Sequence, residues 1–424
     1  MQVIENLKIK EKLYVEKMKN GLTVMIIPKE NIQKKYVIWG TNFGSIDNKF
    51  IIPNENKQIE VPDGVAHFLE HKLFEQENGK NSLDVLTGLG ADANAYTTND
   101  HTAYLFETVD NFYEILDEFM NYVQKPYFTD ENVEKEKGII AQEIMMENDH
   151  PGWKVYLNAL ECMYVNNPIK LEIAGSVESI QKIDKEVLYN SYNVFYNPSN
   201  MVLVLCGDFK PEKIIKEVEK RLVDKEAQGE IRRIYPEEPE KINKKIIETN
   251  MEVSMPIFVI GIKDKPNNGE CVKKHIAIEI ILNMLLGASS KLYKRMYENG
   301  NLIYKPELDY DFSKTYAHIT ISGQSKNPKI LLEEVKKELN NMKKQGIDDE
   351  YFNIIKRKIY GAYISDYNYI GNIARMFLTD YFKGINSFEY LENYSTIEKK
   401  YVMQILNEIF REDNMILSVI NPNN

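Results

Sequence analysis

The sequence predicts an α+β fold of two similar halves, each an α/β roll with helices packed on one side of an antiparallel or mixed sheet. Three observations favour this fold. Short β-branched runs alternate with helical apolar patterns, the second half repeats features of the first, and a polar stretch separates the two. We therefore expect a clam-like arrangement of residues 1–222 and 246–424, joined by a linker at 223–245.

The first half begins with two predicted strands. Residues 22–28 and 35–40 are rich in β-branched side chains and are bounded by glycine and proline, which is typical of strands. Residues 64–74 then carry apolar side chains at the spacing of a helix. Residues 93–109 indicate a pair of strands around an Asn-Asp turn.

A long helix follows, in which Thr129 or Asp130 is the expected N-cap and residue 148 lies near the end. Residues 201–206 predict the last strand of the first half. The stretch 223–245 is rich in lysine and glutamate, carries two prolines and has little apolar periodicity. We interpret it as a linker between halves, although a solvated loop within one domain would have the same composition.

An internal duplication is indicated by three matches that occur in the same order in both halves. The matches are residues 200–205 with 414–419, residues 36–40 with 257–261, and the helix at 64–74 with 273–287. The second of these helices contains His275 and Glu279 but no second histidine. Chemistry that requires two histidines on the first helix is therefore not duplicated.

Composition limits the classes of function. The 424 residues are 43% hydrophobic and 28% charged, as in globular proteins. The net charge of -11 argues against nucleic-acid binding and against docking on an anionic membrane. No run approaches the ~20 apolar residues of a membrane span, and the N-terminus lacks the apolar core of a signal peptide. With three scattered cysteines, these features predict a cytoplasmic protein.

His67 and His71 are the one pair of histidines, among six, that lies four residues apart on a predicted helix. Four residues are just over one turn, so both imidazoles share a helix face and can bind one metal ion. The string His-Phe-Leu-Glu-His that they bound is the inverted form of the zinc-peptidase motif. Two polar rings and a carboxylate on an otherwise apolar helix need a partner, whereas a half-exposed helix face is the simpler alternative.

A catalytic zinc ion takes about four ligands and keeps one position for water. The two imidazoles supply two ligands, so a carboxylate should supply the third. Because zinc lowers the pKa of its bound water toward ~7, a nearby carboxylate can take the proton and deliver it to the leaving amine. Glu70, held between the histidines in sequence, is the natural base.

The helix at 131–147 offers the acidic third ligand. Glu136 and Glu143 lie seven residues apart, which is two helical turns and hence one face. The sequence around Glu143 is apolar, so a lone carboxylate there would be explained by a metal. The remaining glutamates of the helix, at 131, 134 and 147, fit a solvated face.

Three motifs together resemble the pitrilysin, insulin-degrading enzyme and mitochondrial processing peptidase family, in particular its small bacterial branch. They are residues 67–71, residues 90–98 (Gly-Ala-Asp-Ala-Asn-Ala-Tyr-Thr-Thr) and residues 136–143 (Glu-Lys-Gly-Ile-Ile-Ala-Gln-Glu). The resemblance implies one zinc ion per chain, bound by His67, His71 and Glu143. It also implies that Glu70 is the base and that Glu136 orients the site. The separation of 72 residues between His71 and Glu143 is slightly short for the family.

The resemblance also implies substrate contacts. The strand that includes Ala93, Asn94, Ala95 and Tyr96 would bind an extended substrate as an additional strand, through backbone hydrogen bonds. An ordinary core strand is the alternative.

Family members often carry an arginine and a tyrosine, seven residues apart, in the second half. Here Tyr297 occupies the arginine position and Tyr304 the tyrosine position. Tyr304 can still donate to an oxyanion, while the missing arginine leaves the binding of the substrate backbone open.

We therefore expect a zinc metalloendopeptidase that cleaves peptides or unfolded leader segments, including leaders of modified peptides. By analogy with small family members, the chain would form a homodimer or pair with an inactive homologue. A non-catalytic, peptide-binding subunit of such a pair is the alternative function. The intact His67, Glu70, His71 and Glu143 favour the enzyme.

Overall fold

The computed structural model describes residues 1–53, 55–266 and 269–423, which form two compact units. Unit 1 comprises Met1–Ile144, Glu172–Tyr235 and Ser365–Ser387. Unit 2 comprises Met145–Leu171, Pro236–Ile364 and Phe388–Asn424. Each unit contains a mixed sheet and helices, so the α+β class predicted from the sequence is confirmed.

The strands run in chain order as follows: β1 Gln2–Asn6, β2 Glu11–Lys17, β3 Thr23–Pro28, β4 Lys35–Thr41, β5 Lys49–Ile51, β6 Gln58–Glu60, β7 Asp92–Thr97, β8 Thr102–Thr108, β9 Met201–Gly207, β10 Arg232–Arg233, β11 Ile246–Met251, β12 Ile257–Asp264, β13 Glu307–Phe312, β14 Ala317–Gln324 and β15 Met415–Pro422.

The α-helices run in chain order as follows: α1 Val65–Lys72, α2 Ser82–Gly88, α3 Phe112–Gln124, α4 Asp130–Asn148, α5 Pro151–Met163, α6 Val177–Ile180, α7 Lys185–Phe195, α8 Pro211–Arg221, α9 Cys271–Leu286, α10 Lys291–Glu298, α11 Pro328–Gln345, α12 Asp349–Asp366, α13 Ile370–Lys383, α14 Phe388–Thr396 and α15 Lys399–Ile409.

The two main sheets repeat one topology. The sheet of unit 1 has the order β1-β2-β3-β9-β4-β8-β7, and that of unit 2 has the order β11-β15-β12-β14-β13. In each sheet one pair of strands is parallel, β3 with β9 in unit 1 and β11 with β15 in unit 2. The other pairs in the two sheets are antiparallel. The duplication inferred from the sequence is therefore present in the strand order.

The asparagine that precedes the last strand of each half explains one of the sequence matches. Asn200 Nδ2 donates to the carbonyls of Asn42 and Phe195. Asn414 Nδ2 donates in the same way to the carbonyls of Lys263 and Ile409. Each side chain thereby ties the end of a helix to the neighbouring central strand, which satisfies carbonyls that neither element pairs.

Helices also cover the second face of each sheet, which corrects the expectation that they pack on one side. Successive residues of a strand point to opposite faces. In β4, Trp39 contacts Phe119 of α3 while Gly40 lies against Leu378 of α13. Since both faces of this strand are apolar and buried, both must be covered.

The same arrangement occurs in unit 2, with a helix from the first half of the chain. Gly261 of β12 faces Met163 of α5, and a side chain built at Gly261 would approach the Met163 sulfur to 2.9 Å. Gly40 and Gly261 are matched positions of the duplication, and at each a glycine lets a helix approach the sheet. The predicted boundaries 1–222 and 246–424 differ from the two units in two segments. Met145–Leu171, from the first half of the chain, belongs to unit 2, and Ser365–Ser387, from the second half, belongs to unit 1.

The predicted linker at 223–245 is attached to both units. Its residues up to Tyr235 belong to unit 1, where β10 pairs with β5 and Arg233 forms an ion pair with the buried Asp47. Its later residues belong to unit 2, where the Glu238 carboxylate accepts hydrogen bonds from the backbone of residues 165–167. Each part of the stretch is therefore bonded to the unit to which it belongs.

One helical stretch, Cys271–Glu298, is long and apolar enough to cross a membrane by length and composition alone. However, 67% of its most apolar window is buried inside the protein, as in the core helix of a globular unit. The described residues thus provide no clear membrane span.

Gly64 sets the start of α1, the helix on which the predicted metal ligands lie. Its carbonyl accepts the hydrogen bond of Phe68, and its φ of 94° is in the left-handed region. A Cβ atom at this position would lie 2.3 Å from the carbonyl oxygen of Ala174. Both the backbone conformation and the close approach therefore require glycine.

We predict that Gly64→Ala lowers the free energy of unfolding of unit 1 by about 2 kcal/mol or more, because strain and a backbone clash add together. Gly79 is the matched control, since its φ is 75° but no atom lies within 4 Å of a built Cβ. Gly79→Ala should cost about 1 kcal/mol. Urea unfolding followed by circular dichroism measures both, and equal losses would contradict the role of the Ala174 contact.

Candidate metal centre

Helix α1 presents its two histidines side by side. The ring centroids of His67 and His71 lie 4.6 Å apart, as expected for residues one turn apart. On the opposite side of the helix, Val65, Phe68 and Leu69 are buried in the core of unit 1. The burial of these apolar side chains fixes the rotation of α1 and thereby the direction of the histidines.

Helix α4 brings Glu143 to the same place from a distant part of the chain. The helix is capped by Thr129, whose Oγ1 accepts from Asn132 N while its own N donates to the Asn132 side chain. Two Glu143 oxygens face the two rings: Oε1 lies 3.6 Å from His67 Nε2, and Oε2 lies 3.5 Å from His71 Nε2.

This geometry fits a zinc ion. One ligand atom from each of His67, His71 and Glu143 lies within 4.8 Å of the others. Zinc–nitrogen and zinc–oxygen bonds of about 2.0–2.1 Å in a tetrahedron separate the ligand atoms by roughly 3.4 Å, close to the observed separations. Among the described residues, this is the one group of three His, Cys, Asp or Glu side chains so arranged.

The ligand side chains remain open to water. Their exposed fractions are 12% for His67, 26% for His71 and 32% for Glu143. A structural zinc site has four protein ligands and is closed, whereas a catalytic site has three and leaves a position for water or substrate. Three partly exposed ligands are typical of the catalytic type.

Glu136 lies on the same face of α4 as Glu143 and contacts the Nδ1 side of the His71 ring. Its Oε1 lies 3.0 Å from His71 Nδ1 and, as a carboxylate, accepts the hydrogen bond. The proton is thereby kept on Nδ1, which leaves the Nε2 lone pair for a metal. Burial alone would raise the pKa of Glu136, but the hydrogen bond from His71 and the charge of Lys72 lower it overall.

The pKa of His71 itself is raised. Burial disfavours the charged ring, but the hydrogen bond to Glu136 and the charges of Glu143 and Glu70 outweigh that effect. The pKa of Glu143 is lowered, mainly by His67. The carboxylates thus stabilise positive charge on His71, and His67 stabilises negative charge on Glu143.

Glu70 is buried, and Thr97 Oγ1 donates a hydrogen bond of 2.6 Å to its Oε2. Burial raises the pKa of Glu70, against the lowering effect of His67 and of the Thr97 hydrogen bond. One carboxylate oxygen is thus held by Thr97, and the charges of His67 and His71 act on the carboxylate as a whole. This is the arrangement of a group that can accept and return a proton.

The predicted substrate strand is β7, which is an edge of the sheet in unit 1. Ala93 and Ala95 pack toward the core on the same face as Thr97. Asn94 points to the opposite face, where it lines a cavity of about 540 Å³. Tyr96 packs edge-on against His101, with ring centroids 5.7 Å apart.

The two tyrosines predicted in the second half belong to unit 2. Tyr297 is on α10, is 55% exposed and packs against Tyr293. Tyr304 follows α10 in a loop and is 73% exposed. Their functional roles stay predictions.

Sequence reasoning missed two residues that contact this group. Thr97 could have been found by alternation, because it shares a strand face with Ala93 and Ala95. Lys72 lies 3.4 Å from Glu136 Oε2 and is completely buried. A lysine seven residues after the buried Val65, on the apolar stripe of α1, was the available signal.

Comparison with known proteins agrees with this description. Residues 54–176 match the family described as insulinase (peptidase family M16), and residues 182–359 match the peptidase M16 inactive domain. The uncharacterized zinc protease YmfH of Bacillus subtilis is 36% identical over 424 residues, 99% of each chain.

The chain is also similar to a solved structure over nearly its whole length and to a mitochondrial protein over part of its length. The crystal structure of an M16-like peptidase from Alicyclobacillus acidocaldarius has a TM-score of 0.94 at 32% identity and covers 99% of this chain and 100% of its own. Mitochondrial-processing peptidase subunit beta of Arabidopsis thaliana is 28% identical over 168 residues, which are 38% of this chain and 32% of that protein.

Two repeated α+β units, one of which carries a His-x-x-Glu-His helix beside a glutamate, define a protein of the zinc-protease type. The chain belongs to the M16 (insulinase) family of peptidases.

We predict that Glu143→Gln weakens zinc binding about 10-fold or more, because it removes a charged ligand oxygen. Glu147→Gln, on the same helix, is the control and should bind zinc like the unaltered protein. Competition with a chromophoric chelator measures both affinities. If Glu143→Gln bound zinc unchanged, the carboxylate ligand would instead be Glu136 or Glu147.

Proposed function

We propose that the protein is a zinc-dependent endopeptidase that hydrolyses bonds within peptides or unfolded leader segments. The observation that carries the proposal is the His67, His71 and Glu143 group with the buried Glu70 beside it. Bound zinc would supply a Lewis acid that polarises the scissile carbonyl and acidifies a water molecule.

The side chains of this protein then have distinct tasks. Glu70 accepts a proton from the attacking water as the new carbon–oxygen bond forms, and returns it to the amine nitrogen as the carbon–nitrogen bond breaks. Thr97 holds the Glu70 carboxylate in place through its hydrogen bond. Glu136 keeps His71 in the tautomer that can bind metal.

An extended peptide is the substrate form that suits β7. The strand pairs with β8 on one side and has no strand partner on its other side among the described residues. A substrate added there would receive backbone hydrogen bonds, with its side chains directed alternately to the two sheet faces. A folded protein has no free extended segment to add, so peptides and flexible leaders, including those of modified peptides, are the proposed class.

We also propose that the chain works in the cytoplasm as a dimer, either with itself or with a homologue. The name of the similar Arabidopsis protein describes it as a subunit, which supports pairing for members of this family. Cys162 and Cys206 are buried as thiols rather than joined in a disulfide, which supports a reducing compartment. Measuring the mass of the protein in solution, alone and mixed with a homologue, tests whether the chain forms such a dimer.

A second candidate function is a non-catalytic, peptide-binding subunit. It is favoured by the match of residues 182–359 to an inactive domain and by Tyr297 at the position of the family arginine. The complete metal group in unit 1 favours the enzyme. Zinc binding combined with peptide cleavage separates the two functions.

We predict that Glu70→Gln retains zinc but lowers the cleavage rate about 100-fold or more, because general acid–base catalysis is lost. The readouts are the zinc content per chain and the cleavage of a quenched fluorescent peptide. Glu118→Gln is the control, since Glu118 accepts a hydrogen bond from Ser82 elsewhere in unit 1. Equal activity of the two variants would refute Glu70 as the base.

We predict that Tyr304→Phe lowers kcat about 100-fold with unchanged zinc content, because a donor to the oxyanion is removed. Tyr297→Ala should instead raise KM, because we propose that Tyr297, at the position of the family arginine, binds substrate rather than stabilises the transition state. Steady-state kinetics on the same peptide distinguish these effects. An unchanged kcat for Tyr304→Phe would leave the residue without a catalytic role.

A further inference from the structure

Lys72 is completely buried, directly after the histidine that ends the metal-binding string. It continues the apolar stripe of α1 that includes Val65, Phe68 and Leu69, a position that normally carries an apolar side chain. Burying an ammonium group costs several kcal/mol unless it is well paired. An apolar side chain of similar length would avoid that cost, so the charge calls for an explanation.

The ammonium of Lys72 has two carboxylate partners. Its Nζ lies 2.6 Å from Glu75 Oε2, one turn along, and 3.4 Å from Glu136 Oε2 on α4. The second contact matters more for the metal group, because Glu136 uses its other oxygen to accept from His71 Nδ1. The Glu136 carboxylate is thus held between an imidazole on one side and an ammonium on the other.

The balance of charge points the same way. Two imidazoles and four carboxylates, Glu70, Glu75, Glu136 and Glu143, lie on α1, α4 and the turn between α1 and α2, and the ion pairs place Lys72 against two of the carboxylates. Like charges repel one another, so neighbouring carboxylates are stabilised when a cation lies among them. A buried cation next to Glu136 opposes that repulsion in a place where water cannot screen it.

We infer that Lys72 is a positioning residue for the metal centre: its ammonium fixes the carboxylate of Glu136, and Glu136 fixes the tautomer and ring orientation of His71. The inference rests on the proposed metal site but not on peptide hydrolysis. The ion-pair partners of Lys72 are Glu75 and Glu136, neither of which is a proposed metal ligand, so we infer that Lys72 acts on the centre through Glu136.

The test is a cycle of four proteins: unaltered, Lys72→Met, Glu136→Gln and the double variant. Zinc affinity is measured by chelator competition. Lys72→Met should bind zinc about 10-fold more weakly, as expected for loss of support behind a ligand. If Lys72 acts through Glu136, the double variant should bind no more weakly than Glu136→Gln. Additive losses, or an unchanged affinity of Lys72→Met, would overturn the inference.

Two further variants separate positioning from a general effect of deleting a buried lysine. Lys137 on α4 is also buried and is paired with Glu134, so Lys137→Met should leave zinc affinity unchanged. Lys72→Arg keeps the charge and should restore most of the affinity. Nitrogen NMR of the imidazole of His71 should report the Nδ1–H tautomer in the unaltered protein and a mixture in Lys72→Met.

Failure of this inference differs from failure of the proposed metal site. If the unaltered protein binds no zinc, the site itself is wrong. If it binds zinc and Lys72→Met binds equally, only the role of Lys72 is wrong. Should Lys72→Met and Lys72→Gln both fail to fold while Lys137→Met folds, Lys72 would be a structural requirement, and the positioning role would be rejected.

Discussion

The carboxylate of Glu136 is the contact on which the metal group depends, because it joins α4 to α1 at the point where the ligands meet. Without it, His71 would have no acceptor for Nδ1–H, and Lys72 would lose one of its two partners. Glu143 lies two turns along the same helix, so the contact that orients His71 also sets the position of Glu143, the proposed third ligand. A single helix–helix contact thus arranges two of the three side chains that could hold a metal ion, which no local sequence preference could do.

The duplication shows what this contact adds, since unit 2 has the same strand order without a metal group among its described residues. On α9, the counterpart of α1, His275 pairs with the hydroxyl of Tyr390, and Glu279 accepts from the hydroxyl of Tyr394. Burial raises the pKa of Glu279 to about 7, which the Tyr394 hydrogen bond opposes. Hydroxyls from α14 therefore satisfy polar groups on α9, where unit 1 uses carboxylates from α4. Both helices thus carry a histidine and a glutamate, but among the described residues only unit 1 brings such side chains together as a group that could hold a metal ion.

The sequence predicted β3, β4 and β9 and helices α1 and α4 because these elements carry a clear local pattern, as in β4 and α1. It did not predict β1 and β2, which extend the main sheet of unit 1. The exchange of α5 and α13 could not be predicted, since an apolar helix face does not specify which sheet it covers. The pair of histidines stood out by its spacing, and Glu143 by its charge in an apolar stretch together with the family resemblance; the structure brings the three side chains together. Lys72 was missed because a single charge on an apolar stripe gains meaning only when its distant partner, Glu136, is known. Contacts across about 64 residues of chain depend on tertiary packing, which periodicity does not encode.

The two buried glutamates beside the histidines are chemically different, and the difference assigns their tasks. Glu136 has both oxygens engaged, by His71 and Lys72, and these partners lower its pKa against the effect of burial. These partners favour the ionised form of Glu136. Glu70 has one oxygen held by Thr97, and burial raises its pKa, so it gains a proton more readily. When environments push the pKa values of two carboxylates in opposite directions, the raised pKa suits acid–base chemistry and the lowered pKa suits a fixed anion. The surroundings of Glu136 therefore suit the holding of His71, and those of Glu70 suit the role of base proposed for it.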